Sequence, residues 1–256
     1  MSDRDFGQFE VLSDYYDRFN GADYNAYSEY IEKAMSVYGM TDGKLILDLA
    51  CGTGKLTSEL SRRGYDMIGA DISVEMLMRA KENAMADGLD ILYLCQDMRD
   101  FELYGTVDAV VCALDGVNYL QKREDVLKCF KLVRNYLNPG ALFLFDVNSE
   151  YRFKEVFAKR DYFLEDGGVY LGWHSEYHQK SGKCDLFLTL FIEDGEGRYI
   201  KREEMQTEKL WKDDELCRII DEAGLEKLAV FSGFDMKNAE ENDEKRYYVC
   251  RCPIEK

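Results

Sequence analysis

A strand-like run of apolar residues leads directly into two closely spaced glycines near position 50. The run covers residues 45–49, and Gly52 and Gly54 follow it in the order Gly-x-Gly. Glycine permits a tight turn and lets backbone N–H groups approach a ligand closely. Asp48 lies inside the run, four residues ahead of Gly52, and adds a carboxyl group to the turn. The pattern predicts a loop that binds a cofactor.

Two common phosphate-binding loops do not match this segment. A Walker A loop needs Ser or Thr after its lysine, whereas Lys55 is followed by Leu56, and the first-glycine position is Leu49. A dinucleotide fingerprint needs a small third residue where this chain has Thr57. Asp48 would also place a negative charge near a pyrophosphate. The residues therefore favour a cofactor that carries an ammonium group and no phosphate.

Two further acids follow the next apolar runs. Asp71 stands where a carboxylate is suited to accept hydrogen bonds from ribose hydroxyls. Asp97 can accept from an exocyclic adenine amine, and Met98 beside it offers a polarisable surface to the ring. Each acid alone is also compatible with a helix N-cap or a solvated loop. Three acids at the carboxyl ends of three successive strands indicate a ligand site, because parallel sheets bind ligands at those ends.

A parallel sheet is needed to bring these residues together. Up to about residue 148, short apolar runs alternate with helical stretches. Such alternation predicts an α/β fold with a doubly wound, mostly parallel sheet and helices on both faces. Five strands are expected in this part, at residues 45–49, 65–70, 91–95, 107–114 and 141–147.

The chain after residue 150 has a different pattern. Three segments alternate apolar and polar residues between glycine-containing turns, which predicts an antiparallel β-meander with one packed face. These segments are residues 162–177, 184–192 and 198–210. A helix capped by Asp213 and two final strands follow. We expect a helical lid at residues 1–40, a core at 41–150 and 211–256, and an inserted β-meander cap at 151–210.

Composition limits the possible function. The 256 residues carry a formal net charge of −17, and 46% of them are hydrophobic, which argues against intrinsic disorder. Nucleic acids are unlikely partners because their binding depends mainly on Lys and Arg. No apolar run approaches the ~20 residues of a membrane span, and the first residues lack signal-peptide features. We expect a cytoplasmic protein that is a monomer or a homodimer. No metal site is expected, because no two of the eight cysteines are spaced C-x-x-C.

Residues 45–148 resemble the class I S-adenosylmethionine-dependent methyltransferases of the small-molecule type. The resemblance rests on Asp48-x-x-x-Gly52-x-Gly54, on Asp71 as the ribose-binding acid, and on Asp97-Met98 as the adenine-binding pair. It implies a Rossmann-like seven-stranded sheet with the order 3-2-1-4-5-7-6, in which strand 7 is antiparallel. It also implies S-adenosylmethionine as cofactor and S-adenosylhomocysteine as product. The predicted cofactor-binding residues are Asp48, Ala50, Cys51, Gly52, Gly54, Asp71, Ile72, Asp97, Met98 and Leu114.

The acceptor site is less well defined by the sequence. The loop after the fourth strand faces the acceptor in such enzymes, which makes Asp115 and Tyr119 the candidate catalytic residues. A histidine of the meander, His174 or His178, is another candidate for a general base. The remaining candidates for acceptor contacts are Asn118, Tyr16, Tyr24 and Tyr27.

The expected activity is methyl transfer to a small or medium-sized acceptor by in-line displacement. The chain lacks the [DN]-P-P-[YF] motif of DNA amino-methyltransferases at residues 115–119. Three other functions remain open: an RNA or protein methyltransferase, an oxidoreductase with a nucleotide cofactor, and a non-enzymatic binding module on the same fold.

Overall fold

A computed structural model describes residues 9, 11–40 and 43–254 of the chain. Its core is a seven-stranded sheet with the order β3-β2-β1-β4-β5-β11-β10. The strands β1 to β5 are parallel, whereas β11 pairs antiparallel with both β5 and β10. The predicted order is confirmed, because the last strand of the chain, β11, lies beside β5 and the strand before it, β10, lies at the edge of the sheet. The strands are β1 (Leu45–Leu49), β2 (Asp66–Asp71), β3 (Leu92–Cys95), β4 (Val107–Cys112), β5 (Leu137–Asn148), β10 (Glu226–Phe231) and β11 (Lys245–Arg251).

Helices cover both faces of this sheet, as the continuous apolar strands predicted. One face carries a core cluster built around Phe130, Phe143 and Phe145, and the other carries a cluster around Ile31 and Leu60. Every helix in the described part of the chain is too short or too polar to cross a membrane. The helices are α1 (Tyr16–Phe19), α2 (Tyr24–Val37), α3 (Lys55–Arg62), α4 (Val74–Ala86), α5 (Arg123–Tyr136) and α6 (Asp213–Glu222).

The start of α6 differs from the expectation. Asp213 is the first residue of the helix and not its cap, and Lys212 precedes it without a side-chain cap bond. The carboxyl group of Asp213 instead accepts a hydrogen bond of 2.8 Å from the hydroxyl of Tyr248. An acid in the first turn still interacts favourably with the helix dipole.

A second, four-stranded antiparallel sheet with the order β6-β7-β8-β9 follows β5 in the chain and is called here the cap sheet, or the cap. The sequence pattern treated residues 162–177 as one segment, and this was wrong. Gly167 and Gly168 both have positive φ, +54° and +80°, and turn the chain between two strands. A π-helical turn at Arg152–Phe157, which the sequence did not predict, leads into the cap. The cap strands are β6 (Tyr162–Asp166), β7 (Val169–His178), β8 (Lys183–Glu193) and β9 (Tyr199–Lys209).

Candidate functional site

The turn after β1 is held against the end of β2 by backbone hydrogen bonds. Gly52 N donates to the carboxylate of Asp71 at 2.8 Å, and Cys51 N donates to the carbonyl of Ala70 at 3.1 Å. Ala50 adopts a φ of +61°, which is uncommon for a residue with a side chain and typical of functional turns. The glycine turn and the acid of the second strand therefore form one unit.

The two glycines of this turn have different surroundings. A Cβ atom on Gly52 would meet no protein atom within 4 Å, so open space faces this position. On Gly54 it would lie 2.5 Å from the hydroxyl of Tyr93 and 2.8 Å from the Cβ of Ala80. Both glycines have positive φ, +53° and +69°. Gly52 thus leaves room for a ligand, whereas Gly54 leaves room for the packing of α4 and β3.

A cavity of about 680 Å³, called here the first cavity, opens at the carboxyl ends of β1 to β4. Nine of the ten predicted cofactor-binding residues line it, and Gly54 is the exception for the packing reason just given. This volume lies within the roughly 300–1,000 Å³ of small-molecule and cofactor sites.

The three predicted acids differ in their protonation and partners. Burial raises the pKa of Asp48 to about 7, although the hydroxyl of Thr57 donates to it at 2.6 Å. Burial also raises the pKa of Asp71, against the opposing backbone bonds from Gly52 and Ser73. A buried carboxyl group of this kind is suited to bind an ammonium group or ribose hydroxyls, because such partners offset its desolvation.

Asp97 is paired differently. The guanidinium of Arg99 donates hydrogen bonds to both carboxylate oxygens of Asp97. These bonds lower the pKa of the carboxyl group below its usual value. An adenine amine at this position would share the carboxylate with Arg99. The sequence did not single out Arg99, which also lines the first cavity.

A second cavity, of about 320 Å³, adjoins the first. The two share Tyr16, Leu114 and Tyr119 as lining residues. The second cavity lies between the loop after β4, the N-terminal helices and the cap sheet. Its walls are rich in aromatic side chains, namely Phe19, Tyr27, Phe157, Trp173, Phe234 and Tyr247.

A buried ion-pair network shapes the loop between the cavities. Asp146 is fully buried and accepts from the backbone N–H groups of Leu114 at 2.7 Å and Asp115 at 3.1 Å. Lys245 Nζ donates to both Asp115 and Asp146, each at 2.6 Å. Leu114 and Asp115 both have positive φ, +54° and +59°. The network therefore keeps the loop in a conformation that costs energy for residues with side chains.

The predicted tyrosines lie near both cavities but in different ways. Tyr16 lines both cavities, and Tyr24 lines only the first, where its hydroxyl accepts from Asn20 at 2.9 Å. Tyr27 lines the second cavity, while its hydroxyl donates to Asp146. Tyr24 therefore sits on the side predicted for the cofactor, not for the acceptor.

Of the three predicted residues in the acceptor loop, Asp115 and Tyr119 line a cavity and Asn118 does not. Tyr119 lines both cavities, and its hydroxyl donates to Gln206 at 3.1 Å. Burial raises the pKa of this phenol above its usual value, which favours its protonated, donating form. Asn118 is fully buried and lines neither cavity. Its amide donates to the carbonyl of Lys209 and accepts from the backbone N–H of Asn148, each at 2.9 Å. Its position fits a structural role in place of the predicted acceptor contact.

The two histidines do not reach either cavity. His174 pairs with Asp161 at 2.7 Å and His178 with Asp185 at 2.8 Å, and neither pair belongs to the lining of a cavity. Within the described residues, no group of three or more His, Cys, Asp or Glu side chains could hold a metal ion.

Three polar residues on the inner face of β9 were missed by the sequence analysis. Glu204, Gln206 and Glu208 are 4%, 2% and 2% exposed. Glu204 accepts from the backbone N–H groups of Phe9, at 3.0 Å, and of Leu12, at 2.9 Å, and so fastens the N-terminal segment to the cap. In the sequence, these polar residues at every second position resemble the solvent-exposed face of a strand. Nothing in the neighbouring residues shows that this face is covered.

Comparison with known proteins is consistent with this geometry. A family profile described as a methyltransferase domain matches residues 46–140. A putative methyltransferase of Geobacillus sp. WCH70 is 28% identical over 95% of this chain and 99% of its own. A putative methyltransferase of Bacillus subtilis strain 168 is 29% identical over 89% and 90%. The crystal structure of an S-adenosylmethionine-dependent methyltransferase from Clostridium acetobutylicum superposes with a TM-score of 0.85 at 27% identity, over 96% and 99% of the two chains.

Proposed function

We propose that this chain, a class I S-adenosylmethionine-dependent methyltransferase, methylates a small molecule bound in the second cavity. The cofactor supplies a methyl group on a positively charged sulfur. The residues of the first cavity fit it: Asp71 suits the ribose hydroxyls, buried Asp48 suits the ammonium group, and the open space beside Gly52 admits a ligand against the turn.

The adjoining position of the two cavities carries this proposal. The loop at residues 114–119 lies between them, and Tyr16, Leu114 and Tyr119 face both. A volume of about 320 Å³ corresponds to a small molecule, since ligand pockets begin at roughly 300 Å³. The walls are rich in aromatic side chains. The chain has a net charge of −17, which disfavours an RNA acceptor.

The protein contributes mainly alignment and exclusion of water to such a reaction. Holding two reactants in line converts an encounter into an effectively intramolecular step. The N-terminal segment and the cap sheet cover the second cavity, and Glu204 joins them through its backbone hydrogen bonds to the N-terminal segment. Residues 11–24 and the cap would therefore keep the acceptor in place.

Alanine substitutions at the two turn glycines should affect different properties, namely ligand affinity at Gly52 and stability at Gly54. We expect Gly52→Ala to weaken S-adenosylhomocysteine binding by tenfold or more, on the order of 1.4 kcal/mol, while the protein stays folded. Gly54→Ala carries a similar left-handed strain of roughly 1–2 kcal/mol and also overlaps Tyr93 and Ala80. Overpacking adds about 1–3 kcal/mol, so Gly54→Ala should lower the free energy of unfolding more than Gly52→Ala does. Calorimetry and urea unfolding on both variants measure the two effects.

The location of the acceptor is tested by filling the second cavity. Ala22 is partly exposed and lines this cavity only, so Ala22→Trp places a large side chain there without touching the first cavity. We expect S-adenosylhomocysteine affinity to stay within about twofold of the wild type. Methylation of acceptors found in a small-molecule screen should fall at least tenfold. Unchanged methylation in this variant would place the acceptor elsewhere.

A further inference from the structure

Glu208 is the unusual carboxyl group of the second cavity. It is 2% exposed, and one of its oxygens accepts from the amide of Asn148 at 2.6 Å. Asp115, which also lines the cavity, shares Lys245 with Asp146. Across the described part of the chain, no Lys, Arg or His lies within ion-pair distance of Glu208. The cavity therefore contains a buried acid without a direct cationic partner.

Three charged groups and one amide, all outside β9, act on Glu208. Burial and the nearby charge of Asp115 raise its pKa to about 8, whereas Asn148, Lys245 and Arg152 act in the opposite direction. Burying an unpaired carboxylate is costly, so the group stays protonated at neutral pH. A cationic ligand beside it would supply the missing partner and favour its ionised form.

The remaining lining of the cavity suits a cation. Aromatic faces attract cations, and the cavity walls include Trp173, Tyr247 and Phe234. Lys245 holds two carboxylates, and Nη1 of Arg152 pairs with Glu244 at 3.0 Å. Of the other acids in the lining, Asp115 is paired with Lys245 and Asp23 is exposed and caps α2, so Glu208 is the buried acid left for a cationic ligand.

We propose that the methyl acceptor is an amine, which enters the second cavity as an ammonium ion, pairs with Glu208 and gives its proton to this carboxylate. In this step an N–H bond breaks, and its electron pair stays on nitrogen as the lone pair. An O–H bond forms on Glu208, so an ammonium ion and a carboxylate become a neutral amine and a carboxylic acid. The neutral amine is the nucleophile that methyl transfer needs, and Glu208 later releases the proton to water. This inference rests on the proposed function.

A binding experiment tests the proposal without relying on turnover. The full-length protein is saturated with S-adenosylhomocysteine and titrated calorimetrically with benzylamine, benzyl alcohol and benzoate. We expect benzylamine to bind about tenfold or more tightly than the other two, as a charge-assisted hydrogen bond implies. At pH 7 its binding should release protons, because Glu208 must ionise, and its affinity should rise between pH 6 and pH 8. Titrations in two buffers with different ionisation enthalpies measure the proton release.

Two variants isolate the role of the carboxylate. Glu208→Gln keeps the hydrogen-bonding shape but removes the charge, and it should abolish both the preference for benzylamine and the proton release. Glu203→Gln is the matched control, since Glu203 lies on the same strand, is exposed and pairs with Lys201. It should behave as the wild type does.

The outcomes separate this inference from the proposed function. Equal affinity for the three probes, tighter binding of benzoate, no binding of benzylamine, or proton release that persists in Glu208→Gln overturns the role of Glu208. If S-adenosylhomocysteine itself does not bind, the proposed function fails and the inference fails with it. Urea unfolding of Glu208→Gln shows whether the variant is folded, so a lost preference in a folded protein supports the proposal.

Discussion

We expect the Asp71→Asn variant to bind S-adenosylhomocysteine about a hundredfold or more weakly than the wild type. Two charge-assisted hydrogen bonds to ribose hydroxyls contribute roughly 1.5–3 kcal/mol each, and a loss of about 2.7 kcal/mol corresponds to a factor of a hundred. The amide of asparagine can present only one acceptor oxygen. It would also place an NH₂ group against the N–H of Gly52 or Ser73, both of which now donate to the carboxylate.

Isothermal calorimetry on purified protein measures this affinity. Asp66→Asn is the matched control, because Asp66 begins the same strand, is exposed and lies at the opposite end from the first cavity. Its affinity should equal that of the wild type. A change of less than about threefold in Asp71→Asn, with a wild-type unfolding curve, would remove Asp71 from the cofactor site.

The parallel strands and the first cavity could be predicted because their signals are local, whereas the order of the strands followed from the family resemblance. Each apolar run ends in a residue that the parallel arrangement brings to the same edge, so Asp48, Asp71 and Asp97 converge without any knowledge of distant contacts. The glycine turn is equally local, since φ at Gly52 depends on its immediate neighbours. The different roles of Gly52 and Gly54 could not be predicted, because they depend on how Tyr93 and Ala80 pack around Gly54.

The second cavity could not be predicted because its residues come together from distant parts of the chain. Lys245 and Asp115 are 130 residues apart, and no local pattern pairs them. The one local sign of a role for Asp146 was that a charged residue stands within the apolar sequence of β5. Asn118 looked like a loop residue free to bind an acceptor, but the loop folds inward and its amide joins β5 to β9.

We expect Lys245→Met to lower the free energy of unfolding by about 3–5 kcal/mol, the range for breaking a buried ion pair. Burial opposes the charge of Lys245, but Asp115 and Asp146 together raise its pKa above the ordinary value, so the lysine stays charged. The side chain of Asp146 is 0% exposed and that of Asp115 is 20% exposed. Methionine fills a similar volume, so the variant mainly leaves these two carboxylates without a cation.

The pH dependence of that loss identifies its cause. Unpaired buried carboxylates bind protons more strongly in the folded than in the unfolded state, so the deficit of Lys245→Met should shrink as the pH falls from 8 toward 5. Adding Asp146→Asn removes one unpaired charge and should recover part of the stability at pH 8. Urea unfolding at both pH values measures the three proteins.

Lys237→Met is the control, because Lys237 pairs at 2.6 Å with Asp235 on the surface, where the two side chains are 79% and 51% exposed. Exposed pairs contribute about 0–1 kcal/mol, so this variant should differ little from the wild type at any pH. If Lys245→Met also lost less than about 1 kcal/mol, the left-handed loop at Leu114 and Asp115 would have to be held by other contacts. The buried network would then not explain how the loop keeps its place between the two cavities.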